Sequence, residues 1–186
     1  MSVIAAATVF IATPWDGQAA FAQESSRLKL EAMTAEAVDA ESLQHLLSTA
    51  LVNLEGEELR ISDYQDKVIV LNFWASWCPP CVEEMPELAA IDKDFEAVQV
   101  IAYGVDTEQN IRRFIDKVPV DLPILIGVPS AFRLTRQLGN PSGGLPFTLI
   151  FAPGVELAYK IIGQVNAEEL RHKLAEMTAE GIGLTP

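Results

Sequence analysis

The chain has few of the residues that many protein chemistries require. It contains two cysteines and two histidines among 186 residues, too few cysteines for a small domain held together by disulfides. Its 13 basic residues stand against 26 acidic ones, giving a formal net charge of −13. Nucleic acid and anionic lipid surfaces are therefore unfavourable partners, because both are also negatively charged. No glycine-rich loop of the kind that cradles phosphates is present.

Long apolar runs are also missing. Residues 3–12 are apolar and uncharged, about the length of the apolar core of a signal peptide and shorter than the roughly 20 residues that span a bilayer. Ala20-Phe21-Ala22 places small residues before a cleavage site at Gln23. Residues 1–22 are therefore predicted to be a signal peptide, although Met1-Ser2 supplies no basic residue. The expected location is periplasmic and soluble; an uncleaved membrane anchor and a cytosolic chain are the alternatives.

The remaining sequence is long and apolar enough for one domain, since 49% of the chain is hydrophobic. Residues 23–47 are predicted to form a linker and a peripheral helix, 48–180 the main domain and 181–186 a tail. Apolar runs in the domain alternate with helical patterns, which indicates an α/β fold with a mixed sheet. The predicted strands are 68–74, 98–105 and 122–128, with hairpins over 51–61 and 145–162 and helices over 79–95, 107–118, 130–138 and 167–179.

Both cysteines lie in the segment Trp77-Cys78-Pro79-Pro80-Cys81, between a predicted strand and a predicted helix. A disulfide across so short a loop removes little chain entropy, so a purely structural role is weak. A helix N terminus favours a thiolate, because unpaired backbone N–H groups and the helix dipole stabilise negative charge. The spacing predicts reversible thiol–disulfide exchange: Cys78 attacks a client disulfide, and Cys81 resolves the mixed disulfide. The two prolines remove N–H donors, which limits how far the pKa of Cys78 falls.

Glu84 follows Cys81 by three residues and shares its helix face. A carboxylate there would accept the proton that Cys81 loses when it attacks. The alternative is an ordinary exposed helix glutamate. Spacing alone leaves both interpretations open.

Metal binding and peroxide reduction are two other uses of a cysteine pair. Thiolates bind Cu(I) or zinc, but a structural zinc normally takes four protein ligands, and His45 and His172 are distant in the sequence. The histidines are expected on helix surfaces. A peroxidase would have a proline and a threonine ahead of its cysteine, and residues 62–77 contain neither.

A longer motif links this chain to a known family. The run from Asn72 to Cys81, together with Glu84, Pro86 and Gly144-Leu145-Pro146-Phe147-Thr148, resembles the thioredoxin superfamily, and in particular its exported TlpA/ResA-like branch. The resemblance covers about residues 48–180. Residues 107–128 resemble the strand–helix insert of that branch. A thioredoxin-like α/β fold is therefore expected.

The resemblance also implies roles for individual residues. Pro146 matches the cis-proline beside the active site, which leaves the backbone of Leu145 free to pair with a substrate strand. Glu84 matches a buried acidic residue that transfers protons. Trp77 and Pro79, with Leu145 and Pro146, are the expected client-binding residues. Asn72 stands where thioredoxin has an aspartate, so the thioredoxin proton relay is not carried over.

The function implied is that of an exported thiol:disulfide oxidoreductase working as a protein disulfide reductase. Its electrons would come from a membrane thiol transporter. Its clients would be apocytochrome c, copper-site assembly factors or other secreted proteins. The redox-active disulfide would be its only redox group, with no metal and no nucleic acid required. An oxidase of the same fold is the main alternative, and a Cu- or Zn-binding dithiol module is the other.

Overall fold

A six-stranded mixed sheet forms the centre of the computed structural model, which describes residues 31–32, 38–127 and 131–181. The strands are β1 (Glu31–Ala32), β2 (Leu51–Val52), β3 (Glu58–Leu59), β4 (Val68–Trp74), β5 (Val98–Gly104), β6 (Ile124–Ile126), β7 (Phe147–Ala152) and β8 (Glu156–Ile162). The order across the sheet is β1-β8-β7-β4-β5-β6, and β2 and β3 form a separate two-stranded sheet. Strand β4 is parallel to β5 and antiparallel to β7, so the predicted mixed sheet is confirmed.

Five α-helices and a 3-10 helix (Ile61–Tyr64) accompany the strands in the described part of the chain. The α-helices are α1 (Ala40–Ser48), α2 (Pro79–Asp94), α3 (Glu108–Ile115), α4 (Ala131–Gln137) and α5 (Ala167–Gly181). Asn166 caps α5 by accepting a hydrogen bond from the backbone N–H of Glu169 at 3.1 Å. These helices begin and end within a few residues of the predicted bounds. The predicted cap at Ser130 and the predicted end of a strand at residue 128 lie outside the described residues.

Strand β4 is buried along its whole length. Its side chains alternate between two apolar clusters, with Ile69, Leu71 and Phe73 in one and Val68 and Val70 in the other. A central strand covered on both faces must be nearly continuous in apolar residues, which is the pattern the sequence contains. The carboxyl end of β4 therefore holds the segment that follows it in a fixed position at the edge of the core.

Helix α1 was expected to be peripheral, with the main domain beginning at residue 48. Leu46 and Leu47 of this helix are buried in the same cluster as Phe73 of β4, so α1 packs on the core of the main domain. A nine-residue helix is not stable in water on its own and gains its stability from packing. Strand β1 also joins the sheet, with Glu31 opposite Lys160 of β8, and no sequence pattern had indicated it.

Several predictions concern segments outside the described residues. The predicted signal peptide (1–22) and the end of the predicted tail (182–186) lie there, as does most of the predicted linker. Among the residues that are described, no helix is both long and apolar enough to cross a membrane.

Candidate active site

The two cysteines lie where β4 gives way to α2, and they form a disulfide with a Cα–Cα distance of 5.3 Å. Cys78 is the N-cap residue of α2, with Pro79 and Pro80 at the first two helical positions. The backbone N–H of Cys78 donates to the carbonyl of Ala75 at 3.1 Å, which ties the turn to the end of the strand. Cys78 is 4% exposed and Cys81 is 0% exposed, so Cys81 is the more buried of the two residues, as expected.

Glu84 is buried in the described structure, with 3% of its surface exposed, so the interpretation as an ordinary surface glutamate is wrong. Its Oε1 accepts a hydrogen bond from Asn72 Nδ2 at 2.7 Å, and its Oε2 accepts one from the backbone N–H of Val165 at 2.7 Å. Burial raises the pKa of Glu84 to about 7, against the opposing effect of these two hydrogen bonds. A carboxyl with this pKa exchanges protons readily at neutral pH.

Asn72 and Thr148 extend this site across the sheet, a link that sequence reasoning missed. The two residues lie directly opposite each other on β4 and β7, and Asn72 Nδ2 donates to Thr148 Oγ1 at 3.0 Å. Asn72 Oδ1 is buried without a hydrogen-bond partner among the described residues. The Asn72 amide thus presents its NH2 group to Glu84, and this donor stabilises the carboxylate form of Glu84. The signal in the sequence was an asparagine inside an otherwise apolar strand.

The loop before β7 carries the predicted client-binding residues Leu145 and Pro146. The Leu145–Pro146 peptide bond is cis, as the resemblance implied. Leu145 is half-buried and packs against the apolar cluster that contains Cys78 and Cys81. Asn140 supports this loop from beneath, since its buried Nδ2 donates to the carbonyl of Gly144 at 2.8 Å. The structure therefore brings the loop and the dithiol together.

Trp77 and Pro79 are both exposed beside the disulfide. The Trp77 side chain is 59% exposed, and its ring centroid lies 6.1 Å from that of Phe132 on α4. By contrast, Trp74 is fully buried and lies 5.1 Å from the ring of Phe114. Trp77 therefore forms part of the surface around Cys78, and Trp74 belongs to the core.

Asp106 anchors the turn that leads to Cys78, and sequence reasoning missed it. Its Oδ2 accepts hydrogen bonds from Ser76 Oγ at 2.6 Å and from the backbone N–H of Ser76 at 3.2 Å. Its Oδ1 accepts from the backbone N–H of Thr107 at 2.7 Å and from Asn110 Nδ2 at 2.9 Å. Burial opposes ionisation, but these hydrogen bonds outweigh it and lower the pKa of Asp106. The carboxylate thus holds Ser76 in place, two residues before Cys78.

The histidines lie on exposed faces of helices α1 and α5, as expected. His172 lies 3.2 Å from Glu176 on the same helix. Within residues 38–127 and 131–181, no three His, Cys, Asp or Glu side chains are placed to share a metal ion.

Comparison with known proteins agrees with this arrangement. The family model described as "AhpC/TSA family" matches residues 40–160. The thiol-disulfide oxidoreductase ResA of Geobacillus kaustophilus (strain HTA426) is 32% identical over 128 residues, which cover 67% of this chain and 71% of that protein.

Solved structures give the same fold. A thioredoxin-related protein from Neisseria meningitidis serogroup B is 28% identical, with a TM-score of 0.61 over 69% of this chain and 98% of its own. A secreted Mycobacterium tuberculosis disulfide oxidoreductase, homologous to E. coli DsbE, is 20% identical, with a TM-score of 0.58 over 74% of this chain and 99% of its own. The expected thioredoxin-like fold is confirmed.

Proposed function

We propose that this protein works as an exported reductase of protein disulfides. The proposal starts from its membership of the thioredoxin-like AhpC/TSA family: the chain belongs to that family and is a thiol-disulfide oxidoreductase. The observation that carries the direction is the pair of prolines at the first two positions of α2. Neither proline has a backbone N–H to stabilise a thiolate at Cys78. A less stabilised thiolate makes the dithiol a stronger reductant, because oxidants of this class owe their potential to a stabilised reduced form.

The proposed reaction begins with the reduced protein. The Cys78 thiolate attacks one sulfur of the client disulfide, forming a Cys78–client disulfide and releasing a client thiolate that takes up a proton. The Cys81 sulfur then attacks Cys78 and gives its proton to the Glu84 carboxylate. This step releases the second client thiolate and forms the Cys78–Cys81 disulfide. Two electrons pass from the protein to the client, and a membrane thiol donor would restore the dithiol.

The roles of the surrounding residues belong to the same proposal. The backbone of Leu145, held by the loop ahead of Pro146, would pair with an extended client segment. Exposed Trp77 and Pro79 would contact the same segment. The reaction needs no redox group other than the disulfide.

The reduction potential tests the direction of electron flow. Equilibration of the Cys78–Cys81 pair with dithiothreitol or glutathione should give a value well below roughly −200 mV. A value near −120 mV, the range of strong oxidants, would instead make the protein a disulfide donor. Pro79→Ala and Pro80→Ala each restore one N–H and should raise the potential. Exposed Pro141→Ala, in the loop after α4, is the matched control and should leave the potential unchanged.

Trapping experiments test the roles of the two cysteines. Cys81→Ser should accumulate a mixed disulfide with a client through Cys78, since no resolving thiol remains. A trapped adduct in Cys78→Ser rather than in Cys81→Ser would reverse the assignment.

Export is the remaining part of the proposal. It is supported by the apolar stretch 3–12 and the cleavage pattern before Gln23, and the related Mycobacterium tuberculosis protein is a secreted one. N-terminal sequencing of the protein recovered from periplasm should begin at Gln23. Retention of the full chain in the cytosol would rule out this location.

A further inference from the structure

A small basic pocket lies beside the turn that leads to the dithiol. It has a volume of about 170 Å³ and is lined by Ser76, Asn110, Arg113, Phe114 and Lys117. Arg113 lies on α3, and Lys117 follows one turn later, just after the helix ends. Both cations are exposed, so both can reach a molecule seated in the pocket.

The two cations are not neutralised by the rest of the described structure. Neighbouring Arg112 is committed to local contacts, since it pairs with Glu108 at 2.8 Å and donates to the carbonyl of Leu54 at 2.7 Å. No such salt bridge or hydrogen bond joins the side chain of Arg113 or Lys117 to another described residue. Like charges one helical turn apart repel each other modestly. In a chain with twice as many acidic as basic residues, the pocket thus holds two basic side chains whose donors are free to bind an anionic group.

Two acidic groups lie near the pocket, and neither forms a salt bridge with Arg113 or Lys117 in the described structure. Asp106 contacts Ser76 and Asn110 from behind, but its carboxylate is buried and accepts four hydrogen bonds from its own surroundings. Asp116 is the chain neighbour of Lys117, and its side chain is exposed to solvent. Arg113 and Lys117 therefore keep most of their donors available to a ligand.

The pocket is also close to the attacking sulfur. Ser76 lines the pocket and precedes Cys78 by two residues, so their Cα atoms are at most about 7 Å apart. The hydrogen bonds from Ser76 to Asp106 hold this turn against the segment that follows β5. A client cysteine attacked by Cys78 would therefore lie within a few residues' length of the basic pocket.

We infer that the basic pocket binds a carboxylate of the client, on an Asp or Glu side chain within about three residues of the attacked cysteine. The inference rests on the proposed function and adds a preference among clients. A guanidinium binds a carboxylate through two parallel hydrogen bonds, and the Lys117 ammonium adds a second charge. Clients with acidic residues beside the disulfide are thus selected by a protein whose overall charge would repel them.

The test uses a series of disulfide-linked peptides. Each peptide carries one Glu, at a different position between three residues before and three residues after the cysteine. Matched peptides carry Gln at the same positions. The wild-type protein, reduced beforehand with dithiothreitol, should reduce the best Glu peptide about threefold to tenfold faster in kcat/KM than its Gln partner, as expected for one or two exposed charge pairs. The preference should disappear at high salt, where such pairs are screened.

Charge variants locate the preference. Arg113→Gln and Lys117→Gln should each reduce it, and the double variant should abolish it while Gln peptides react as before. Lys93→Gln, which removes the same charge far along α2, is the control and should retain the preference. Equal rates for every Glu and Gln pair would overturn the inference and leave the proposed function standing. Failure to reduce any peptide disulfide would overturn the proposed function and this inference with it.

Discussion

Replacement of Glu84 by Gln should change how the stability of the oxidised protein depends on pH. Burial raises the pKa of Glu84 from 4.5 to about 7 in the folded protein, whereas an unfolded chain leaves the carboxyl near its ordinary value. The folded state therefore binds this proton more tightly. The stabilisation that comes from protonated Glu84 is fully present below pH 4.5 and is lost as pH rises through about 7.

The magnitude follows from the size of the pKa shift. One pKa unit corresponds to about 1.4 kcal/mol, so the shift of Glu84 is worth about 3 kcal/mol. Glutamine resembles the protonated acid and has no charge to desolvate. Below about pH 4.5 the difference in free energy of unfolding between wild type and Glu84→Gln should be constant. Above about pH 8 this difference should have shifted by about 3 kcal/mol in favour of the variant.

The site can accommodate the new amide. The Gln oxygen can accept the hydrogen bond from the Val165 backbone N–H, in place of Glu84 Oε2. The Gln amide nitrogen then faces Asn72, whose side chain can rotate by half a turn and offer its unpaired Oδ1 as the acceptor. The rotation turns Asn72 Nδ2 to the side where Oδ1 has no partner, which costs stability by an amount independent of pH. The pH dependence of the difference between the two proteins therefore isolates the effect of the charge.

Urea unfolding of oxidised wild type and Glu84→Gln at several pH values between 4 and 9 measures the difference directly. Effects common to both proteins cancel when the two free energies of unfolding are subtracted. Exposed Glu83→Gln, on the same helix, controls for the loss of one negative charge. A difference that stays constant within about 0.5 kcal/mol across this range would refute the proposed proton affinity of Glu84.

Two further predictions concern the core and the turn before Cys78. Leu46→Ala should destabilise the protein by about 2–5 kcal/mol, because Leu46 is buried in the main core, whereas exposed Val52→Ala should cost less than about 0.5 kcal/mol in the same urea assay. Asp106→Asn replaces one of the two acceptor oxygens with an NH2 group, which then faces the donors that the oxygen had bound. The free energy of unfolding at neutral pH should therefore fall by about 1–3 kcal/mol. This loss should shrink as pH falls through the lowered pKa of Asp106, since protonation removes the same interaction from wild type; a loss independent of pH would contradict the hydrogen bonds described here.

Local sequence patterns predicted most of the regular structure. The apolar run of β4 indicated a strand covered on both faces, and the cysteine–proline segment marked the start of α2. Both signals are local, because strand burial and helix capping depend on residues near each other in the chain. The role of helix α1 was not predictable in this way. Its apolar residues fit either a peripheral helix or a core helix, and only the burial of Leu46 and Leu47 in the same cluster as Phe73 distinguishes the two.

The loop residue Asn140 and the anchor Asp106 escaped prediction for a related reason. Isolated polar residues in loops usually face solvent, and nothing in their spacing shows burial. Asp106 accepts a hydrogen bond from the backbone N–H of Thr107, and Asn140 donates one to the backbone carbonyl of Gly144. Each side chain is buried where it satisfies a backbone group that lies outside regular helix or strand bonding.

The sequence by itself determined that this protein has one dithiol, placed between a buried strand and a helix and followed three residues later by a carboxyl group. Tertiary structure alone decided the proton affinity of that carboxyl. Asn72 and Val165, whose groups bind it, are 12 and 81 residues away in the chain. Desolvation and hydrogen bonding act through space, so the pKa of Glu84 depends on which distant segments the fold packs around it.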